Sequence, residues 1–224
     1  VPARNIRVVY EGVNAAYRPL PVAEIAAARA RYDLPDSYIL YVGSVERRKN
    51  LERLLRAFAL LRGSGERRSL VIVGVRKANA AGMMGTLSEL GLQKDVILTG
   101  YVAEADLPAI YGGADLFVFP SLYEGFGLPP LEAMACGAPV ICSNAASLPE
   151  VVGNAALMVD PYDVQGLADA MRRVLADGAL SADLRAKGLE RARRFTWERA
   201  AQETMAVYRE ALAWDMKTLT VTGL

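Results

Sequence analysis

Short apolar runs alternate along this chain with segments whose apolar positions recur every three or four residues. The runs are IRVVY (6–10), YILYVG (38–43), SLVIVG (69–74), DVILTG (95–100), DLFVFP (115–120), PVICS (139–143) and ALMVD (156–160). Most are apolar on both faces and rich in Val and Ile, as strands covered by helices on both sides must be. Between them, 50–62 places Leu51, Leu54, Leu55, Phe58 and Leu61 on one helical face, with Asn50 positioned as N-cap. A second such face, with Val164, Leu167, Ala168, Met171, Val174 and Leu175, runs over 163–178, and Gly178 reads as its stop. The alternation predicts an α/β fold, a doubly wound parallel sheet with helices on both faces.

After residue 160 the strand pattern ends. Helices are expected over 163–178, over about 181–194 and onward from a cap at Thr196. This divides the chain into a Rossmann-like domain over 1–195 and a C-terminal helix and tail over 196–224. The basic run Arg185, Lys187, Arg191, Arg193 and Arg194 reads as a solvated helix face, with peripheral contact to an anionic membrane surface as the competing reading. The opening VPARNIRVVYEGVNAAYRPL has no initiator Met and enters a strand followed by a turn at Gly12, which reads as the interior of a longer protein.

Composition narrows the function classes. With 53% hydrophobic residues the chain can bury a sizeable core, and Lys+Arg 26 against Asp+Glu 25 leaves no global field to capture nucleic acid. No apolar run approaches the roughly 18 residues of a membrane span, and no signal-peptide pattern opens the chain, so the expected location is cytoplasmic. The two cysteines, Cys136 and Cys142, lie among small apolar residues and read as buried reduced thiols. There is no histidine, which removes Ser-His and Cys-His nucleophile systems and His-bearing metal sites. Chemistry must run on carboxylates, Lys, Arg and backbone dipoles.

Ligands of open parallel sheets bind at the carboxyl ends of the strands, where the strand order reverses. Three loops leave strand ends with unusual content: GSVERRKN (43–50), GVRKANAAG (74–82) and SLYEGFGLPP (121–130). In the first, Arg47, Arg48 and Lys49 stand ahead of a helix, which suits a dianion, although a solvated charge run at a helix start explains the same residues. The second, with Arg76 and Lys77, carries a weaker signal. In the third, Gly125 and Gly127 allow backbone N–H groups to approach a ligand, and Pro129 or Pro130 suits the first turn of a helix that carries Glu132. Glu124 and Glu132 are acceptors for hydroxyls, so a sugar joined to a cation-held diphosphate uses every part of the pattern. Solvated acids around a turn are the plain alternative. G-x-x-x-x-G-K-[ST], G-x-G-x-x-G and D-x-D are all missing, which argues against P-loop and dinucleotide sites and calls for no metal or other cofactor.

The stretch SLYEGFGLPPLEAMACGAPVICSNAASLPEVVGNAALMVDPYD closely resembles the C-terminal, donor-binding domain of retaining GT-B glycosyltransferases of family 4, whose signature is E-x7-E. Glu124 and Glu132 have that spacing, and the resemblance continues through VILTGYVAEADLPAIYGGADLFVFPS, ILYVGSVERRKNLERLLRAFALL and FTWERAA, covering nearly the whole chain.

The resemblance implies roles. Glu132 is expected to accept from ribose hydroxyls, Glu124 to lie near the donor sugar hydroxyls, and the amides of Gly125, Phe126, Gly127 and Leu128 to face the sugar and distal phosphate. Lys49 matches the lysine that neutralises the departing diphosphate. Family members commonly carry an arginine after the glycine of the first loop, but Gly43 is followed here by Ser44. Whether Arg47 or Arg48 supplies the second cation is open, with Arg48 favoured. The base is expected between Gly100 and Val102, held largely by main chain, with Tyr101 structural. The implied activity is retaining transfer of a hexose, GDP-mannose favoured as donor, to a glycan or lipid-linked acceptor, with a missing N-terminal domain carrying the acceptor site. The alternatives are a non-catalytic nucleotide-sugar-binding module and a sugar-nucleotide 2-epimerase of related architecture.

Overall fold

The computed structural model describes residues 2–75 and 81–221. Six parallel strands, β1 (Tyr38–Val42), β2 (Ser69–Val73), β3 (Val96–Gly100), β4 (Leu116–Phe119), β5 (Val140–Ser143) and β6 (Leu157–Val159), form one sheet in the order β3-β2-β1-β4-β5-β6. Leu40 stands opposite Val71 on one side and Phe117 on the other. Both central strands are sealed: Tyr38 to Tyr41 and Leu116 to Phe119 are buried throughout, as the unbroken apolar runs require.

The chain winds outward from β1 in one direction and from β4 in the other. Right-handed crossovers therefore put α2 (Leu51–Gly63) and α3 (Ala81–Glu89) on one face, and α5 (Leu128–Ala135) and α6 (Leu148–Val152) on the opposite one. Helix α7 (Val164–Ala176) packs on α2, and α8 (Gly178–Ala192) on α5, while α1 (Val22–Arg31) and α4 (Leu107–Gly112) lie together beside α5. Helix α9 (Trp197–Val221) follows. No helix among the described residues is long and apolar enough to cross a membrane. Both cysteines are free and buried, and burial pushes each thiol up to about 12.

The predicted faces hold. Leu51, Leu54, Leu55, Phe58 and Leu61 are buried in α2, and Leu167, Ala168, Met171 and Val174 in α7. Three local expectations do not. Residues 6–10 form no strand; Ile6 and Val8 are exposed, and Tyr10 leaves the sheet layer to stack with Phe126 and Phe195 at 6.1 and 5.6 Å. Asn50 precedes α2 but makes no capping bond; it sits at φ 61° and sends its amide elsewhere. Gly178 starts α8 instead of ending α7, because Asp177 turns extended and accepts from the Leu180 amide at 2.9 Å. Thr196 does accept from the Arg199 amide at the start of α9.

The basic run on α8 is largely committed within the protein. Arg185 donates to the carbonyls of Gly137 and Ala114, and Arg191 to those of Val151 and Glu150. Lys187 pairs with Asp183 on the helix surface, and Arg194, just past the helix end, with Glu190. Heads turned toward carbonyls at the ends of neighbouring elements act as helix C-terminal ligands.

Candidate functional site

The strand order reverses between β1 and β4, and the loops leaving these two strands meet above that point. Two bonds fasten them and a third reaches the β6 exit. The Leu122 amide donates to the Arg48 carbonyl at 2.7 Å, and the Asn50 side-chain amide donates to the carbonyls of Pro120 at 2.9 Å and Pro161 at 2.7 Å. Asn50 thus ties together the exits of β1, β4 and β6, which explains a buried polar residue in left-handed backbone: the position serves its neighbours' carbonyls. On the other side of β1, a Cβ at Gly74 would stand 2.9 Å from the Gly43 carbonyl oxygen, so the β2 exit approaches this closely only as glycine.

This frame carries a charged cluster. Lys49 and Glu124 are both 8% exposed, and Lys49 Nζ lies 2.7 Å from Glu124 Oε1. Arg48 Nη1 donates to Glu124 Oε2 at 2.8 Å, and its Nε to Glu46 Oε2 at 2.8 Å. Ser44 donates to the other Glu46 oxygen, and this bond together with Arg48 holds the Glu46 carboxyl below its ordinary range. The ammonium of Lys49 also stands 5.0 Å from the centre of the Phe119 ring. Arg47 and Arg48 are both exposed, and Arg48 turns its guanidinium onto Glu124.

The Gly-Phe-Gly loop is seated from below. The single Ser147 hydroxyl hydrogen is shared between the carbonyls of Phe126 at 2.7 Å and Glu124 at 3.0 Å, and Ser143 donates to that of Ser121 at 2.5 Å. Gly127 adopts φ 123°, and a Cβ there would stand 2.6 Å from Leu148 Cδ2. Helix α5 then starts at Leu128 with proline in its first turn, where an amide hydrogen has no helical partner anyway, so its positive end follows the Gly-Phe-Gly loop directly.

Glu132 sits apart from these charges, in the seam between α5 and α4. The Tyr111 hydroxyl donates to its Oε2 at 2.8 Å, and Tyr111 stacks edge-on with Tyr17 at 5.9 Å and Phe117 at 5.4 Å. Burial raises the Glu132 carboxyl above its ordinary value against the pull of the Tyr111 hydrogen bond, and burial likewise lifts the Tyr111 phenol. At the β3 exit, Val102 is buried but Tyr101 is 73% exposed, so Tyr101 supports no core and stands on the rim. Arg76 and Lys77 lie outside the described residues. Asn50, Tyr111 and Ser147 were not singled out for these tasks by the sequence; a polar residue next to buried strands was their only signal.

The model of the family described as glycosyl transferases group 1 matches residues 24–193. O-antigen chain mannosyltransferase B of Escherichia coli is 39% identical over 210 residues, which cover 93% of this chain and 55% of that protein. The serotype-specific mannosyltransferase WbdA of Escherichia coli is 37% identical over 87% of this chain and 24% of its own length. The chain therefore spans about half of the first relative and about a quarter of the second. Among solved structures, sucrose-phosphate synthase of Thermosynechococcus elongatus superposes with a TM-score of 0.80 at 34% identity, over 92% of this chain and 53% of that one. HepE of Anabaena, solved in complex with UDP, superposes with a TM-score of 0.81 at 21% identity over 91% of this chain and 57% of its own, a likeness of fold. The sheet is one Rossmann-like half of a GT-B architecture, and the chain belongs to the glycosyl transferases group 1 family.

Proposed function

We propose that this chain binds a nucleoside diphosphate hexose for retaining glycosyl transfer, with Lys49 and Arg48 taking the diphosphate. The carrying observation is the convergence of these two cations at the switch point, beside the positive end of α5. In this reading the amides of Gly125 to Leu128 face the sugar and distal phosphate, and Glu124 accepts from sugar hydroxyls. Glu132 accepts from the ribose, and the main chain around Tyr101 and Val102 meets the base. GDP-mannose is the proposed donor, since two relatives are mannosyltransferases, and a glycan or lipid-linked hydroxyl is the proposed acceptor.

In transfer, the bond between the anomeric carbon and the diphosphate oxygen breaks as a bond to the acceptor oxygen forms on the same face. The acceptor proton passes to the departing phosphate. Negative charge grows on the leaving diphosphate, so Lys49 acts more on rate than on ground-state binding. No histidine base and no metal is invoked.

Calorimetric titration of the chain with GDP, UDP, ADP and their hexose conjugates tests this reading. Saturable binding of one nucleotide, weakened by both Lys49→Ala and Glu132→Ala, supports it. Binding indifferent to both substitutions overturns the site.

A further inference from the structure

Glu124 already occupies the two cations that the proposed function gives to the diphosphate. Its oxygens lie 2.7 Å from Lys49 Nζ and 2.8 Å from Arg48 Nη1, and its carboxylate is as buried as the lysine. A phosphate oxygen brought to the same nitrogens stands next to this carboxylate, and like charges at that range in a site largely excluded from water oppose one another strongly. The conflict can be relieved by the side chain alone. The backbone of residues 124 and 126 is held by Ser147, so the loop itself is pinned, and Arg48 retains Glu46 when Glu124 lets go.

We propose that Glu124 is a discriminator between donor and spent nucleotide: the diphosphate displaces its carboxylate from Lys49 and Arg48, and only an attached hexose supplies hydroxyls to receive it. The inference rests on the reading that Lys49 and Arg48 take the diphosphate. A bare nucleoside diphosphate strips Glu124 of its partners and returns none, whereas a nucleoside diphosphate hexose returns hydroxyl donors for the cations lost. The site therefore holds the substrate of transfer better than its product, which favours discharge of the leaving group after each event.

The test is calorimetric titration of this chain and its Glu124→Gln variant with inorganic pyrophosphate, GDP and GDP-mannose. Glutamine keeps the shape and one acceptor for Lys49 while removing the competing charge. Pyrophosphate and GDP are expected to bind the variant about threefold to thirtyfold tighter, while GDP-mannose gains nothing or loses, so the preference for the sugar conjugate falls about threefold or more. GDP binding that is unchanged or weaker in Glu124→Gln overturns the inference. Lys49→Ala separates the underlying reading: if it leaves GDP binding as in the parent chain, the assignment of Lys49 to the diphosphate fails, whatever Glu124→Gln does. Thermal unfolding checks the variants, and Glu124→Ser offers a second, smaller replacement on which the same affinity ratio is read.

Discussion

Lys49 Nζ and Glu124 Oε1 are 2.7 Å apart although the residues are separated by α2, β2, α3, β3, α4 and β4 in the chain. The contact closes the β1 exit onto the β4 exit, and it is made by two groups that are each nearly excluded from water. Removing one partner leaves the other charge buried. Lys49→Met is expected to destabilise the fold by roughly 1–3 kcal/mol, less than for an isolated buried pair because Arg48 still faces Glu124. The double variant Lys49→Met, Glu124→Leu should recover most of that loss, since both desolvation costs vanish together. Urea unfolding of the two singles and the double, read as a thermodynamic cycle, checks the sign.

Tyr111→Phe removes the hydroxyl that donates to Glu132 Oε2. If Glu132 reads the ribose, the variant should lose about threefold to tenfold of the preference for GDP over 2′-deoxy-GDP, with stability lower by about 1 kcal/mol. A variant that loses stability but keeps the preference would restrict Tyr111 to packing.

Glu132 has a carboxyl raised by burial, so the folded chain holds its proton more tightly than the unfolded one. Its ionisation therefore opposes folding: stability falls as pH rises from the ordinary carboxyl value, near 4.5, through the raised one, and stays lower above it. Glu132→Gln should accordingly be more stable than the parent at pH 7 and should lose that advantage below about pH 4. Denaturation midpoints at the two pH values decide it.

Asn50→Gly retains a residue suited to φ 61° but deletes both side-chain bonds to Pro120 and Pro161. Two carbonyls are left without that donor, at an expected loss of about 1–3 kcal/mol. Asn50→Ala should lose more, because alanine also dislikes the left-handed backbone. Guanidinium unfolding of both variants separates the bonds from the conformation.

The layers were legible because the strands are buried on both faces, and a run such as Leu116 to Phe119 admits little else. Glu124, Lys49 and Arg48 were legible as a set because loops that leave neighbouring strands must share a rim. What they do to one another was not, since a 2.7 Å contact depends on the Leu122 to Arg48 and Asn50 bonds that bring the loops into register. The strand expected at 6–10 shows the opposite error. Its composition is right for a sheet, yet Tyr10 finds aromatic partners away from the sheet, and no composition reports where a partner lies. Gly178 read as a stop because glycine ends helices often, but Asp177 offers an amide a charged acceptor, which glycine cannot.

Phe126, at the centre of the Gly-Phe-Gly loop, rests against Tyr10 of the opening segment and Phe195 of the turn before α9, while Gly12 lets the leading segment lie directly on the first turn of α9. The loop is therefore seated on a knot of rings where the opening segment and the final helix cross. One layer of aromatic side chains therefore separates the Gly-Phe-Gly loop from both the opening segment and the turn that leads into α9.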